Sequence, residues 1–326
     1  MFVYVTLVIG FVLLIKGADY FVDGSSSVAK LLRVPTIVIG LTVVAFGTSM
    51  PEASVSITAA LAGKNDLAVS NVIGSNIFNL LVVLGASACV RPLQAKWSVL
   101  KKEFPFSILI TVVLLIAIVG VNVGSVMDSG AVFVLGRAGG LVLFALFVIF
   151  LVSTVRDAMK SRNDAAVNEE LANEEYEIFS KSKSAVYIAV GMCGIIFGGD
   201  LVVDSASKIA EQFGMSQTFI GLTVVALGTS LPELVTSMVA ARKGENDLAL
   251  GNVVGSNIFN ILLILGTSAA IKPITVNVLA VYDTVILIVA SLIVYVSAVS
   301  RKGISRKEGI LFLAVYLGYF AYILLR

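Results

Sequence analysis

Apolar residues along this chain come in long unbroken runs, not in the short alternation of half-buried strands, and the polar residues collect between the runs. Ten runs are long enough to cross roughly 30 Å of hydrocarbon: about 2–22, 35–62, 67–90, 104–121, 131–155, 184–204, 217–241, 248–270, 279–299 and 308–325. The pattern predicts an all-α polytopic membrane protein with ten transmembrane helices. Several runs exceed one crossing, which predicts tilt or breaks. The one long polar stretch, Arg156 to Ser184, carries Glu169, Glu170, Glu174, Glu175 and Glu177 and reads as a solvated linker. The chain thus divides into residues 1–155, a linker at 156–183, and residues 184–326.

The two halves are copies. At a constant offset of 181, Ile39 to Ala88 matches Ile220 to Ala269 without a gap, and 33 of 50 positions are identical. Asp19 and Asp23 align with Asp200 and Asp204 at the same offset. Five spans per copy is an odd number, so the copies must cross the membrane in opposite senses. Two inverted five-helix repeats of this kind place a shared site near the midplane.

Charge supports that topology. With the amino terminus outside, seventeen of the 23 Lys and Arg residues fall in cytoplasmic segments, among them Lys30, Arg33, Arg91, Lys96, Arg242, Lys243, Arg301 and Lys302. Both termini are therefore expected outside and the 156–183 linker in the cytoplasm. The composition is 58% hydrophobic and 13% charged, with a mean hydropathy of +1.00, against roughly 25% charged in soluble domains. A net charge of +2, with no basic stripe interleaved with aromatics, gives no reason to expect nucleic acid. The surrounding partner is the lipid bilayer, with no obligatory protein partner apparent. Histidine is absent, which removes the commonest general base and transition-metal ligand; neither an enzyme nor a cofactor is expected. Cys89 and Cys193 stand in separate apolar runs and read as packing residues. The first run lacks a basic front end and reads as a span, not a leader, which fits a cell inner (plasma) membrane.

Chemistry concentrates in Gly47-Thr48-Ser49-Met50-Pro51-Glu52 and its copy Gly228-Thr229-Ser230-Leu231-Pro232-Glu233. A carboxylate within an apolar span is costly unless it faces a partner or a wet cavity. Pro51 returns no amide hydrogen to Gly47, so the helix should break and free backbone oxygens. Hydroxyls, carbonyls and carboxylates make an all-oxygen set suited to hard cations, and Ca²⁺ takes roughly six to eight oxygens. A second polar cluster holds Asn71, Ser75, Asn76 and Asn79, then Asn252, Ser256, Asn257 and Asn260. Ser75 and Asn79 share a helix face, as do Ser256 and Asn260, and read as ligands. Asn76 and Asn257 lie off that face and read as interhelical glue. Asp66 and Asp247 read as helix caps. Asp19, Asp23, Asp200 and Asp204 shape an access route or reach interfacial water, and Lys16 snorkels or pairs with Asp19.

The paired Gly-Thr-Ser-x-Pro-Glu and Gly-Ser-Asn-Ile-Phe-Asn segments resemble the two alpha repeats of the sodium/calcium exchanger family, among the cation/calcium antiporters. That resemblance implies Glu52 and Glu233 as central carboxylates shared by Ca²⁺ and Na⁺. It further implies side-chain oxygens of Thr48, Ser49, Thr229, Ser230, Ser75, Ser256, Asn79 and Asn260, with backbone carbonyls of Ala45 and Ala226. Some members carry aspartate at the position of Asn260; here both repeats carry asparagine, leaving two formal negative charges in the site. The implied activity is exchange of Na⁺ for Ca²⁺ by alternating access, with Ca²⁺ extruded and the first and sixth spans sliding across the site. Ca²⁺/H⁺ or another cation/proton antiport is the alternative, since buried glutamates can carry protons. A channel or a purely structural carboxylate pair are the readings from other classes.

Overall fold

The computed structural model describes residues 2–63, 65–120, 124, 126, 128, 130–161, 178–215 and 226–325, without the side chains of 65–67 and 226. Helix α1 spans Phe2–Leu32, α2 Thr36–Thr48 and α3 Met50–Leu61. A continuous helix α4 covers 65–90, followed by α5 (Val99–Val119), α6 (Arg137–Ser161) and α7 (Lys181–Gln212). A short turn at Ala226–Gly228 leads into α8 (Leu231–Lys243), then α9 (Asn246–Ile271), α10 (Val278–Arg301) and α11 (Arg306–Leu325). Among the described residues eight helices are long and apolar enough to cross a membrane, and the α2–α3 pair, bent by 53°, makes a ninth. The run expected at 217–241 begins at residues outside the described set and continues as α8.

Several boundaries differ from the hydropathy reading. Helix α1 runs ten residues past 22 because Ser25, Ser26 and Ser27 are buried in its packing face, with Ser27 Oγ 3.0 Å from Ser184 Oγ on α7. The run at 131–155 is two elements: residues 132–135 form a strand and α6 starts at Arg137. An apolar Val-Phe-Val-Leu stretch cannot be told from helix by hydropathy alone. That strand, β2 (Val132–Leu135), pairs antiparallel with β3 (Ile274–Asn277), while β1 (Leu93–Gln94) pairs with β4 (Gly303–Ile304). The two small ribbons join helix ends in an otherwise helical protein. The acidic residues from Glu169 to Glu177, and the side chain of Asp66, lie outside the described residues. Asp247 stands in the first turn of α9, where a carboxylate suits the helix dipole, and Lys96 donates to it.

Helices α4 and α9 form the centre. The most hydropathic stretch of α9 is 94% buried and that of α4 78%, against 22% for α1 and 28% for α7. Helices α1 and α7 lie antiparallel against each other on the outside, joined through glycines seven residues apart: Gly10 faces Gly198, Gly17 faces Gly191, and Gly24 packs on Ser184 and Ile188. A Cβ at Gly17 would stand 2.7 Å from Ile195 N, and one at Gly191 2.5 Å from Phe21 N, so only glycine permits this backbone approach.

Candidate cation site

The site is built where two helices start at proline. Pro51 and Pro232 occupy the first turns of α3 and α8, positions that need no amide hydrogen. Ser49 and Ser230 leave the helical conformation immediately before them, with ψ of 6° and 5°. The break therefore puts Glu52 and Glu233 in the first turn of a helix, where amides and dipole favour an anion. Both glutamates are fully buried. Gly47 lets the end of α2 approach Phe21 of α1 and Met192 of α7, and Gly228 approaches Val203 of α7. The outer helix pair thus touches both breaks.

Each glutamate is held by hydroxyls from both halves of the chain. Glu52 Oε1 accepts from Ser230 Oγ at 2.8 Å and Ser75 Oγ at 3.2 Å. Glu233 Oε1 accepts from Ser49 Oγ at 2.9 Å and Ser256 Oγ at 3.3 Å. The arrangements are related by the offset of 181. In both residues the second oxygen, Oε2, is buried and has no hydrogen-bond donor among the described residues. The same holds for Asn79 Oδ1 and Asn260 Oδ1. Buried acceptors without donors are costly, and four of them among these residues suit a cation. Asn79 opens a π-helical turn in α4 (Asn79–Val83) and Asn260 lies within one in α9 (Phe259–Leu265); such turns recur at functional positions.

Eleven of the twelve residues named from the motifs are buried here, and the side chain of the twelfth, Ala226, lies outside the described residues. Thr48 Oγ1 lies 2.9 Å from Asn252 Oδ1 and 3.5 Å from Ser256 Oγ, and Thr229 is buried beside Ser230. The Ala45 carbonyl accepts from the Ser49 amide at 3.1 Å and lies 3.4 Å from Thr48 Oγ1, while Ala226 opens the turn preceding Gly228. No cluster of three or more His, Cys, Asp or Glu occurs among the described residues, so the two glutamates set the charge here. The motifs alone did not reveal Ser56 and Ser237, to which Asn71 and Asn252 donate at 2.9 Å each. They lie one turn beyond the glutamates at the same offset, a signal present in the sequence.

Asp19 and Asp23 belong to a different cluster. Arg242 donates to Asp19 at 2.7 Å and Lys243 to Asp23 at 2.6 Å, tying α1 to the end of α8. Lys16 stands 3.8 Å from Asp19.

The chain is similar to known proteins over most of its length. Inner membrane protein YrbG of Escherichia coli is 38% identical over 279 residues, covering 84% of this chain and 81% of that one. Sodium/calcium exchanger MaX1 of Methanosarcina acetivorans is 33% identical, covering 97% of both. The solved structure of the sodium-calcium exchanger NCX_Mj, soaked with Na⁺ and Ca²⁺, superposes with a TM-score of 0.80 at 33% identity over 98% of each chain. The family described as sodium/calcium exchanger protein matches residues 2–156 and 183–325, and the chain belongs to it.

Proposed function

We propose that this protein exchanges Na⁺ for Ca²⁺ across the cell's inner (plasma) membrane, extruding Ca²⁺, with both ions drawn to overlapping oxygens around Glu52 and Glu233. The observation that carries this reading is the reciprocal holding of the two glutamates, each by a serine of its own half and one of the other, with one oxygen left over. The ligand set comprises those carboxylates, the hydroxyls of Thr48, Ser49, Ser75, Thr229, Ser230 and Ser256, the amide oxygens of Asn79 and Asn260, and the carbonyls of Ala45 and Ala226. Oxygen-only ligands match both ions. A Ca²⁺ neutralises two carboxylates, and Na⁺ ions compete for them. Neutralisation lets the buried charge cross, whereas an empty site would carry bare carboxylates past hydrocarbon.

The architecture for this is ten spans in two inverted five-helix repeats, 1–155 and 184–326, with both termini outside and the 156–183 linker in the cytoplasm. The offset of 181 and the Lys and Arg distribution support it. The outer pair α1 and α7, packed on both breaks, moves across the site to open it to one side at a time. Proteoliposomes loaded with Na⁺ and diluted into Na⁺-free medium test the reading. Uptake of ⁴⁵Ca²⁺ should require internal Na⁺. Uptake driven by a pH gradient alone points to Ca²⁺/H⁺ antiport instead, and flux without any counter-ion to a channel.

A further inference from the structure

Four buried asparagines cross-link α4 and α9 beside the glutamates. Asn76 Nδ2 donates to the Asn257 carbonyl at 3.2 Å, and Asn257 Nδ2 to the Asn76 carbonyl at 3.3 Å. Asn260 Nδ2 donates to Asn76 Oδ1 at 2.9 Å, and Asn79 Nδ2 to Asn257 Oδ1 at 3.1 Å.

An amide side chain can turn over, exchanging donor for acceptor, so its orientation must follow from its neighbours. Here it does. A backbone carbonyl only accepts, so the Asn257 carbonyl compels Asn76 to present Nδ2 to it. Asn76 Oδ1 must then face Asn260. Two oxygens in contact in a buried site would repel, so Asn260 must present Nδ2, and its Oδ1 points the other way. The same steps run from the Asn76 carbonyl through Asn257 to Asn79. Asn260 Nδ2 also lies 3.4 Å from Ser75 Oγ, whose hydroxyl donates to Glu52. The locked amide is thus next to the carboxylate cluster.

We infer that Asn76 and Asn257 are positioning residues that hold Asn260 and Asn79, crosswise, with their amide oxygens turned to the transported cation. Without them each amide is free to offer its NH₂, a group that repels a cation. This rests on the reading of Asn79 and Asn260 as cation ligands. It assigns to Asn76 and Asn257 more than helix glue: they decide whether two neutral side chains attract or repel the substrate.

The test is the Ca²⁺ KM of Na⁺-dependent ⁴⁵Ca²⁺ uptake in proteoliposomes for single and double variants. Asn76→Ala is expected to raise KM about tenfold, the scale of lost support behind a metal ligand. Adding Asn76→Ala to Asn260→Ala should change nothing further, while adding it to Asn79→Ala should multiply the effects. Asn257→Ala should show the opposite pairing. Asn76→Leu keeps the side-chain volume and serves if the alanine variant does not fold. A lower melting temperature with unchanged KM, or equal coupling of Asn76 to both ligands, would overturn the assignment and leave helix glue. If Asn79→Ala and Asn260→Ala themselves leave KM unchanged, the ligand reading has failed, and the crosswise role falls with it.

Discussion

Ser230, in the second half of the chain, donates its hydroxyl to Glu52, in the first, at 2.8 Å. A hydrogen bond to a charged acceptor contributes about 1.5–3 kcal/mol, and the same hydroxyl offers lone pairs to a cation. Ser230→Ala is therefore expected to raise the Ca²⁺ KM about tenfold, each 1.4 kcal/mol being a factor of ten. Ser49→Ala should do the same through Glu233, to which Ser49 donates at 2.9 Å. Uptake kinetics in proteoliposomes give both values. An unchanged KM in either variant would remove its serine from the site.

The α1–α7 interface makes a prediction about stability. A Cβ at Gly17 would lie 2.7–2.8 Å from backbone atoms of α7, which cannot swing aside as a side-chain end can. Gly17→Ala is expected to cost about 1–3 kcal/mol, as overpacking does, and to lower the melting temperature in detergent. Gly199→Ala is the control, because its Cβ would meet only Pro232 Cγ, at 3.9 Å. Equal melting temperatures for the two variants would show that the helices separate at no cost.

Much of this was legible in the sequence and some was not, for physical reasons. The offset of 181 marks Glu52 with Glu233, Ser75 with Ser256 and Asn79 with Asn260, and the fold buries all six side chains. The helix break before each glutamate follows from Pro51 and Pro232. Hydropathy, by contrast, averages over windows and cannot see pairing. It read residues 132–135 as helix, and it stopped α1 at 22 because three consecutive serines look like a loop until tertiary packing buries them. Nor does residue type reveal orientation: Asn76 looks like glue, and only its contacts with Asn257 and Asn260 fix which end of each amide faces the site.

Arg242 and Lys243 fasten the end of α8 to Asp19 and Asp23 of α1. In the other half, Leu61 and Ala62 occupy the positions equivalent to that basic pair, so this fastening has no copy by sequence. The proposed movement of α1 across the site would break it. Arg242→Ala with Lys243→Ala is expected to favour the opposite-facing state by roughly two- to fivefold, the worth of a partly exposed ion pair. A cysteine at Ser26, in a background without Cys89 and Cys193, reports this through its labelling rate by an impermeant thiol reagent. An identical rate with and without the basic pair would show that it does not hold α1 in place.

The most direct measurement is Ca²⁺ binding to the purified protein, titrated at increasing Na⁺, for the wild type, Glu52→Gln and Glu233→Gln. Each carboxylate contributes about 4 kcal/mol of attraction to a unit charge 4 Å away at an effective dielectric of 20, so either variant should lose high-affinity Ca²⁺ binding. In the wild type the apparent Kd for Ca²⁺ should climb steadily with Na⁺, as competition for one set of oxygens requires. Ca²⁺ affinity indifferent to Na⁺, or Glu52→Gln binding Ca²⁺ as tightly as the wild type, would contradict a single site shared by both ions.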